Sequence, residues 1–101
     1  MRGIVIDPGL APVIVSMMPS DSQQLESWMG GPFHLKPFGN VFAALAYTNS
    51  AGQARPCRHY AGRWYYGRLL LVGFQHNRIT SLPPDLAQEL AAKWENTEVQ
   101  K

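Results

Sequence analysis

Acidic residues are missing from the middle of this chain. Its 101 residues include seven Asp and Glu, and none of them lies between Ser27 and Pro84. Six of the nine Lys and Arg residues fall in that stretch, which therefore has a charge of +6, while each flank has a net charge of −2. A basic centre between acidic ends favours an anionic partner: nucleic acid, a nucleotide or an acidic protein surface.

Long apolar runs and cysteine pairs are lacking as well. The longest apolar runs, Val41–Tyr47 and Leu69–Val72, are far shorter than the ~20 residues that a membrane-spanning helix needs. The N-terminus shows no signal-peptide pattern, because the apolar Ile4–Ile6 is followed at once by an Asp-Pro-Gly turn. The single cysteine, Cys57, has no partner for an internal disulfide. We therefore expect a cytoplasmic protein that makes no contact with a membrane.

Several short segments predict a β-sheet. Four apolar runs are predicted strands: Ile4–Ile6, Val13–Val15, residues 41–48 and residues 69–74. In the last two segments, apolar residues occupy both the odd and the even positions, which is typical of strands buried on both faces. Phe33–Lys36 alternates apolar and polar residues, and Pro37 restricts that strand to an edge or an end. Residues 53–67, which are broken up by proline and glycine, have no clear assignment.

Two further segments predict helices. Residues 21–29 begin with a Ser-Asp-Ser-Gln capping pattern and end at a pair of glycines. The second helix begins near Pro84, a residue favoured in the first helical turn. Its apolar residues recur every four positions and predict one stripe facing the sheet: Leu86, Leu90 and Trp94.

Together these elements predict the fold class α+β. We expect a single domain over residues 1–101, with a mainly antiparallel sheet of four to six strands and two helices packed on it. Hydrophobic residues make up 46% of the chain and eleven residues are aromatic, which is enough for one core of this size. Residues 97–101 are expected to form a frayed tail.

Short motifs recur in a definite order along these elements. They are Pro8-Gly9 after the first strand, Tyr47-Thr48-Asn49 before Gly52, Gly67-Arg68 running into Leu69–Gly73, and Ser81-Leu82 before the last helix. This order resembles a small family of unknown function encoded by phages and bacterial mobile elements. The chain has Ser50-Ala51 where that family often has an acidic turn, and its Arg-rich aromatic segment is its own. The resemblance implies an accessory role in a phage or host cell and supplies no catalytic residues.

That segment alternates cations with large aromatic rings. We identify eight candidate ligand-binding residues in it: Arg55, Arg58, His59, Tyr60, Arg63, Trp64, Tyr65 and Arg68. Arginine can hold a phosphate through two hydrogen bonds, and an aromatic ring can stack a base at ~1 to 3 kcal/mol, so the combination suits nucleotides or single strands. A structural interpretation stays open, in which Trp64, Tyr65 or Tyr66 fills the core and the arginines solvate the outer face.

Cys57 and His59 are close in sequence, yet their pattern does not predict a metal or catalytic site. A structural zinc site takes four ligands in paired spacings, and only one cysteine is present. A Cys-His nucleophile pair would need a third group to orient the imidazole, and no carboxylate lies nearby in sequence. We expect no catalytic residues, no metal and no cofactor.

These observations lead to two main hypotheses on function, and a small hydrolase or transferase stays open as a third. The first is a small non-enzymatic, phage-type accessory protein that binds an anionic partner (nucleic acid or nucleotide) in phage-host interference, in the host cytoplasm. The alternative is a protein-interaction inhibitor or oligomeric module that uses the same Arg and aromatic surface on an acidic host protein. We also expect a homodimer through a strand edge or the last helix, because a small domain with three Trp and four Tyr leaves an apolar patch uncovered.

Overall fold

The structure, a computed structural model, describes residues 1–48, 55–60 and 62–95. Within these residues there are eight strands and two helices: β1 (Gly3–Ile6), β2 (Val13–Val15), α1 (Ser22–Met29), β3 (Phe33–Phe38), β4 (Phe42–Tyr47), β5 (Pro56–Tyr60), β6 (Arg63–Tyr66), β7 (Leu69–Gln75), β8 (Arg78–Thr80) and α2 (Pro84–Glu95). The predicted frayed tail at residues 97–101 lies outside the described residues. Neither helix combines the length and apolar character that a bilayer crossing requires.

Six strands form one antiparallel sheet with the order β2-β1-β7-β4-β3, and β8 pairs with β7 beyond the end of β1. β7 lies at the centre, and its residues from Leu69 to Phe74 are all buried. β4 lies beside it, with Leu45 opposite Leu70 and Ala44 opposite Leu71. The two segments that are apolar on both parities are thus central strands, as predicted, because both faces of the sheet are covered. The α+β class and the mainly antiparallel sheet are confirmed.

Each face of this sheet has its own core. On one face, α1 contributes Leu25 and Met29 to a cluster with the inner side chains of β4 and β7. On the other face, α2 and the β5-β6 hairpin bury a larger cluster that is rich in aromatic rings. Trp94 lies in this second cluster and is fully buried, together with Leu90, while Leu86 packs against it half-buried. The predicted apolar stripe of the last helix is therefore confirmed.

Local sequence signals explain where α1 and β3 lie. The Asp21 carboxylate caps α1 by accepting hydrogen bonds from the backbone N–H groups of Gln23 and Gln24, at 3.1 and 3.2 Å. Gly30 ends the helix in the left-handed conformation, with φ 84°, which glycine adopts without a steric penalty. β3 contains Pro37 and lies at the edge of the sheet, where a missing backbone donor is tolerated.

The segment that had no assignment forms a second, two-stranded sheet. β5 and β6 pair antiparallel, with an irregularity in register between Pro56 and Arg58. Gly62 precedes β6 with φ 76°, a conformation that favours glycine at a hairpin turn. The hairpin lies against the aromatic core on the α2 face of the main sheet, since Cys57 and Tyr65 belong to that core. This position divides the Arg and aromatic residues between an inner and an outer side.

Candidate functional site

The register of the β5-β6 hairpin determines which candidate residues face the protein and which face solvent. Arg58 stands opposite Tyr65, and both are buried. His59 stands opposite Trp64, and both are exposed. Because side chains alternate across a strand, the hairpin divides its residues into an inner side and an outer side.

Arg58 lies on the inner side, with 0% of its surface exposed. Its guanidinium donates hydrogen bonds to three backbone carbonyls, those of Trp94 (2.9 Å), Cys57 (2.8 Å) and Leu10 (2.6 Å). These contacts join the hairpin to the end of α2 and to the loop between β1 and β2. Arg58 was predicted to bind a ligand, but in the structure its side chain is fully buried and its guanidinium hydrogen-bonds to the protein itself.

Two tyrosines also turn inward. Tyr60 is half-buried, and its ring stacks on Trp94 with a centroid distance of 4.0 Å and an angle of 19° between the planes. The Lys93 ammonium lies 5.9 Å from the centroid of the Tyr60 ring, within the range of a cation-π contact. Tyr65 is buried, with its ring centroid 5.8 Å from that of Trp94. Tyr65 therefore fills the core. This agrees with the structural interpretation, in which Trp64, Tyr65 or Tyr66 was expected to be a core residue.

The Tyr65 phenol yields a prediction for alkaline pH. Burial raises its pKa above the ordinary value of 10.0; the charge of Arg63 acts in the opposite direction, and the Tyr60 phenol adds to the rise. Because the folded-state pKa exceeds the unfolded one, the stabilisation that Tyr65 provides is complete below pH 10 and is lost as the pH rises through the folded-state pKa. In urea unfolding at increasing pH, wild type should lose more stability above pH 10 than Tyr65→Phe. Parallel curves for the two proteins would contradict this assignment.

Arg68 also makes contacts within the fold. Its Nε and Nη2 donate to the two carboxylate oxygens of Asp7 at 2.8 and 3.2 Å, and its Nη1 donates to the Trp28 carbonyl at 3.0 Å. The pair is partly exposed, so its contribution to stability is small, but the geometry fixes the end of β1 beside α1. The structure therefore separates Arg68 from the outer side of the hairpin.

Four of the eight candidate residues remain exposed around the hairpin: Arg55, His59, Arg63 and Trp64. The His59 and Trp64 rings pack together at a centroid distance of 4.6 Å, and Trp64 is 51% exposed. Arg55 precedes β5 at the open end of the hairpin, and Arg63 begins β6 at its tip. In the part of the chain that the structure describes, no carboxylate forms an ion pair with either arginine. We call these four residues the hairpin surface.

Tyr66 was not among the predicted ligand-binding residues, although it is next to them in the hairpin. Tyr66 is half-buried and lies two positions after Trp64 on β6, hence on the same side of that strand. The signal that could have identified it is the spacing of alternate aromatic residues, once the segment is recognised as a strand. Tyr66 extends the aromatic part of the hairpin surface towards Arg55, since β6 pairs Tyr66 with Pro56.

The structure also separates Cys57 from His59. The Cys57 thiol is buried and lies 3.7 Å from the Ile6 carbonyl oxygen, whereas His59 is exposed against Trp64. Among the described residues, no three His, Cys, Asp or Glu side chains are grouped as metal ligands. The two side chains therefore lie in different environments, Cys57 in the core and His59 at the surface.

The hairpin surface thus combines an exposed aromatic pair on the outer side with one cation at each end of the hairpin. Arg63 stands opposite Tyr60 and has the parity of Tyr65, so its side chain leaves β6 on the opposite side from Trp64, at the exposed tip. Such a surface can pair with phosphates and stack a planar ring. In comparisons with known proteins, no family model, no curated protein and no solved structure matches this chain.

Proposed function

We propose that this protein is a small non-enzymatic binding protein whose hairpin surface engages an anionic partner, single-stranded nucleic acid or a nucleotide. The observation that carries the proposal is the exposed Trp64, packed against His59, on a hairpin that has exposed arginines at both ends, Arg55 at the open end and Arg63 at the tip. The resemblance to the phage-encoded family adds the setting: an accessory protein that acts in phage-host interference in the cytoplasm of the host cell.

Two physical features support this choice of partner. A half-exposed indole beside an imidazole offers a stacking platform, and stacking of one base contributes ~1 to 3 kcal/mol whatever its identity. No Asp or Glu occurs from Ser27 to Pro84, so the charged side chains that the hairpin itself contributes are all cationic. Recognition of this kind depends on charge and ring stacking and favours no base sequence.

Direct binding measurements test the proposal. With a fluorescent single-stranded oligonucleotide at low salt, Trp64→Ala should weaken binding by about 1 to 3 kcal/mol, because it removes the stacking platform. Arg63→Gln should weaken binding and lower the slope of log affinity against log salt by about 1, because one phosphate contact is lost. Arg78→Gln is the matched control, since it removes an equal charge from an exposed position on β8 and should leave binding unchanged.

The result that would overturn the proposal is equally definite. If neither oligonucleotides nor mononucleotides bind at low salt, the hairpin surface has no nucleic-acid or nucleotide function. The alternative is a protein interface, which the same exposed Trp64 favours because Trp and Arg contribute most to binding at protein interfaces. In that case an acidic host protein should co-purify with wild type and with Arg78→Gln, and should be lost with Trp64→Ala.

A further inference from the structure

Lys93 on α2 lies beside the tip of the β5-β6 hairpin, although it is far from the hairpin in sequence. Its ammonium group is 5.9 Å from the centroid of the Tyr60 ring, and its side chain is exposed. Tyr60 is the last residue of β5 and stands opposite Arg63, the first residue of β6. Residues opposite each other in antiparallel strands have Cα atoms about 4.5 to 5.5 Å apart. Two exposed cations, Arg63 and Lys93, are therefore neighbours of the same tyrosine.

The side chain of Arg63 leaves β6 on the inner side of the hairpin, which is the side of Tyr60. Arg63 lies two positions before the buried Tyr65 and one before the exposed Trp64, and side chains alternate along a strand. Burial raises the pKa of the Tyr65 phenol and the charge of Arg63 acts against this rise, in keeping with a guanidinium on the inner side. Arg63 is still exposed, because β6 begins at the tip. Both cations thus reach solvent on one side of the hairpin.

The two cations have no carboxylate partner in the part of the chain that the structure describes. Neither Arg63 nor Lys93 forms an ion pair there, and this includes Glu89, one turn before Lys93 on α2. The last turn of α2 also carries the negative end of the helix dipole. The buried guanidinium of Arg58 covers that end by donating to the Trp94 carbonyl at 2.9 Å. The positive charges at the tip are therefore available to an anion from outside.

We propose that Arg63 and Lys93 together hold one phosphate group of a single-stranded nucleic acid, on the opposite side of the hairpin from a base stacked on Trp64. This assignment rests on the proposed function, since it gives the same partner a second contact. Guanidinium and ammonium groups both donate charge-assisted hydrogen bonds to phosphate oxygens. We call Arg63, Lys93 and the Tyr60 ring that both adjoin the tip site.

The position of the tip site determines which kind of ligand makes both contacts. Trp64 packs against His59 on the outer side, whereas the tip site lies on the inner side. A ligand that uses both has to pass around the tip, where Gly62 is exposed and a Cβ would meet no described atom within 4 Å. A flexible single strand can make this turn. A duplex is too stiff, since its persistence length is about 150 base pairs, and a mononucleotide, with its phosphate next to its base, occupies one side only.

Binding of a fluorescent single-stranded oligonucleotide at low salt tests the tip site. Lys93→Gln should weaken binding about 3- to 10-fold and lower the slope of log affinity against log salt, because a phosphate contact is lost. Lys93→Arg keeps the charge and should bind like wild type. Arg78→Gln is the matched control for net charge, since it removes an equal charge from an exposed position on β8, and it should leave the affinity unchanged. All three variants should unfold at the wild-type urea midpoint, because exposed charges contribute little to stability.

A double variant tests whether the two cations hold the same phosphate. The loss of affinity in Arg63→Gln combined with Lys93→Gln should differ by more than about twofold from the product of the two single losses, because side chains that share a partner are coupled. Losses that simply multiply would place the two cations on separate phosphates and overturn the shared site.

The failure of the tip site is distinguishable from the failure of the proposed function. If wild type binds no oligonucleotide, the proposed function fails, and the tip site fails with it. If wild type binds and Trp64→Ala weakens binding, but Lys93→Gln binds as Arg78→Gln does, the stacking contact stands and the tip site alone is overturned. A duplex that binds as tightly as the single strand, with the same loss on Lys93→Gln, would contradict a ligand that passes around the tip.

Discussion

Trp94→Ala should destabilise the protein by roughly 3 to 5 kcal/mol, enough to unfold a domain of marginal stability. The indole is fully buried, stacks on Tyr60 at 4.0 Å and meets Phe38 edge-on at 6.3 Å. It lies where α2, the β5-β6 hairpin and the main sheet meet, so its removal leaves a cavity between three elements. Such a cavity closes only if all three move together.

Urea denaturation of a pair of variants measures this effect. Trp64→Ala is the matched control, because it removes the same side chain from a half-exposed position and should cost about 0.5 kcal/mol. If Trp94→Ala is unfolded, Trp94→Phe retains a ring and should give an intermediate loss. Equal unfolding midpoints for wild type, Trp94→Ala and Trp64→Ala would mean that α2 does not pack as described.

The main sheet and both helices were predictable because their patterns are local and repeated. β7 has six consecutive buried residues, and the stripe that ends at Trp94 recurs with the helical period. The capping carboxylate of Asp21 and the left-handed Gly30 mark the ends of α1 in the same way. Each of these signals lies within a dozen residues, so no tertiary information is needed to interpret it.

The β5-β6 hairpin was not predictable for a physical reason. A strand is recognised when apolar residues alternate with polar ones, but here the buried position opposite Tyr65 is Arg58. Burying a guanidinium is favourable only where hydrogen-bond acceptors surround it. Two of its three acceptors, the carbonyls of Leu10 and Trp94, are 48 and 36 residues away in sequence. No pattern within the segment contains that information.

The same limit applies to the candidate site. The sequence identified a segment rich in Arg and aromatic residues, and the structure leaves four of the eight named residues exposed around the hairpin. Arg68 hydrogen-bonds to the Asp7 carboxylate and the Trp28 carbonyl, although it belongs to the same Arg-rich segment as the exposed Arg63. If arginines of this segment form an anion site, substitutions that spare stability but weaken binding are expected only at Arg55 and Arg63, because Arg58 and Arg68 make contacts within the fold.

Arg58→Met should lower the free energy of unfolding by about 3 kcal/mol, since hydrogen bonds from charged donors contribute ~1.5 to 3 kcal/mol each and are not additive. Methionine fills a similar volume but donates no hydrogen bond, so the carbonyls of Cys57, Leu10 and Trp94 lose their guanidinium donor. Arg58→Lys should not rescue stability, because one ammonium group cannot reproduce the planar fork that reaches three separated acceptors. Arg63→Met at the exposed hairpin tip is the matched control and should stay within about 0.5 kcal/mol of wild type.

Combined stability and binding measurements then distinguish the two roles assigned to these arginines. Where Arg58→Met is still folded, its affinity for a single-stranded oligonucleotide should equal that of wild type, because the guanidinium is buried away from the hairpin surface. Arg63→Met should give the opposite result, with unchanged stability and weaker binding. An Arg58→Met protein that unfolds at the wild-type urea midpoint but binds less tightly would mean that Arg58 faces the ligand. The inner side of the hairpin, and not only the surface around Trp64, would then belong to the binding site.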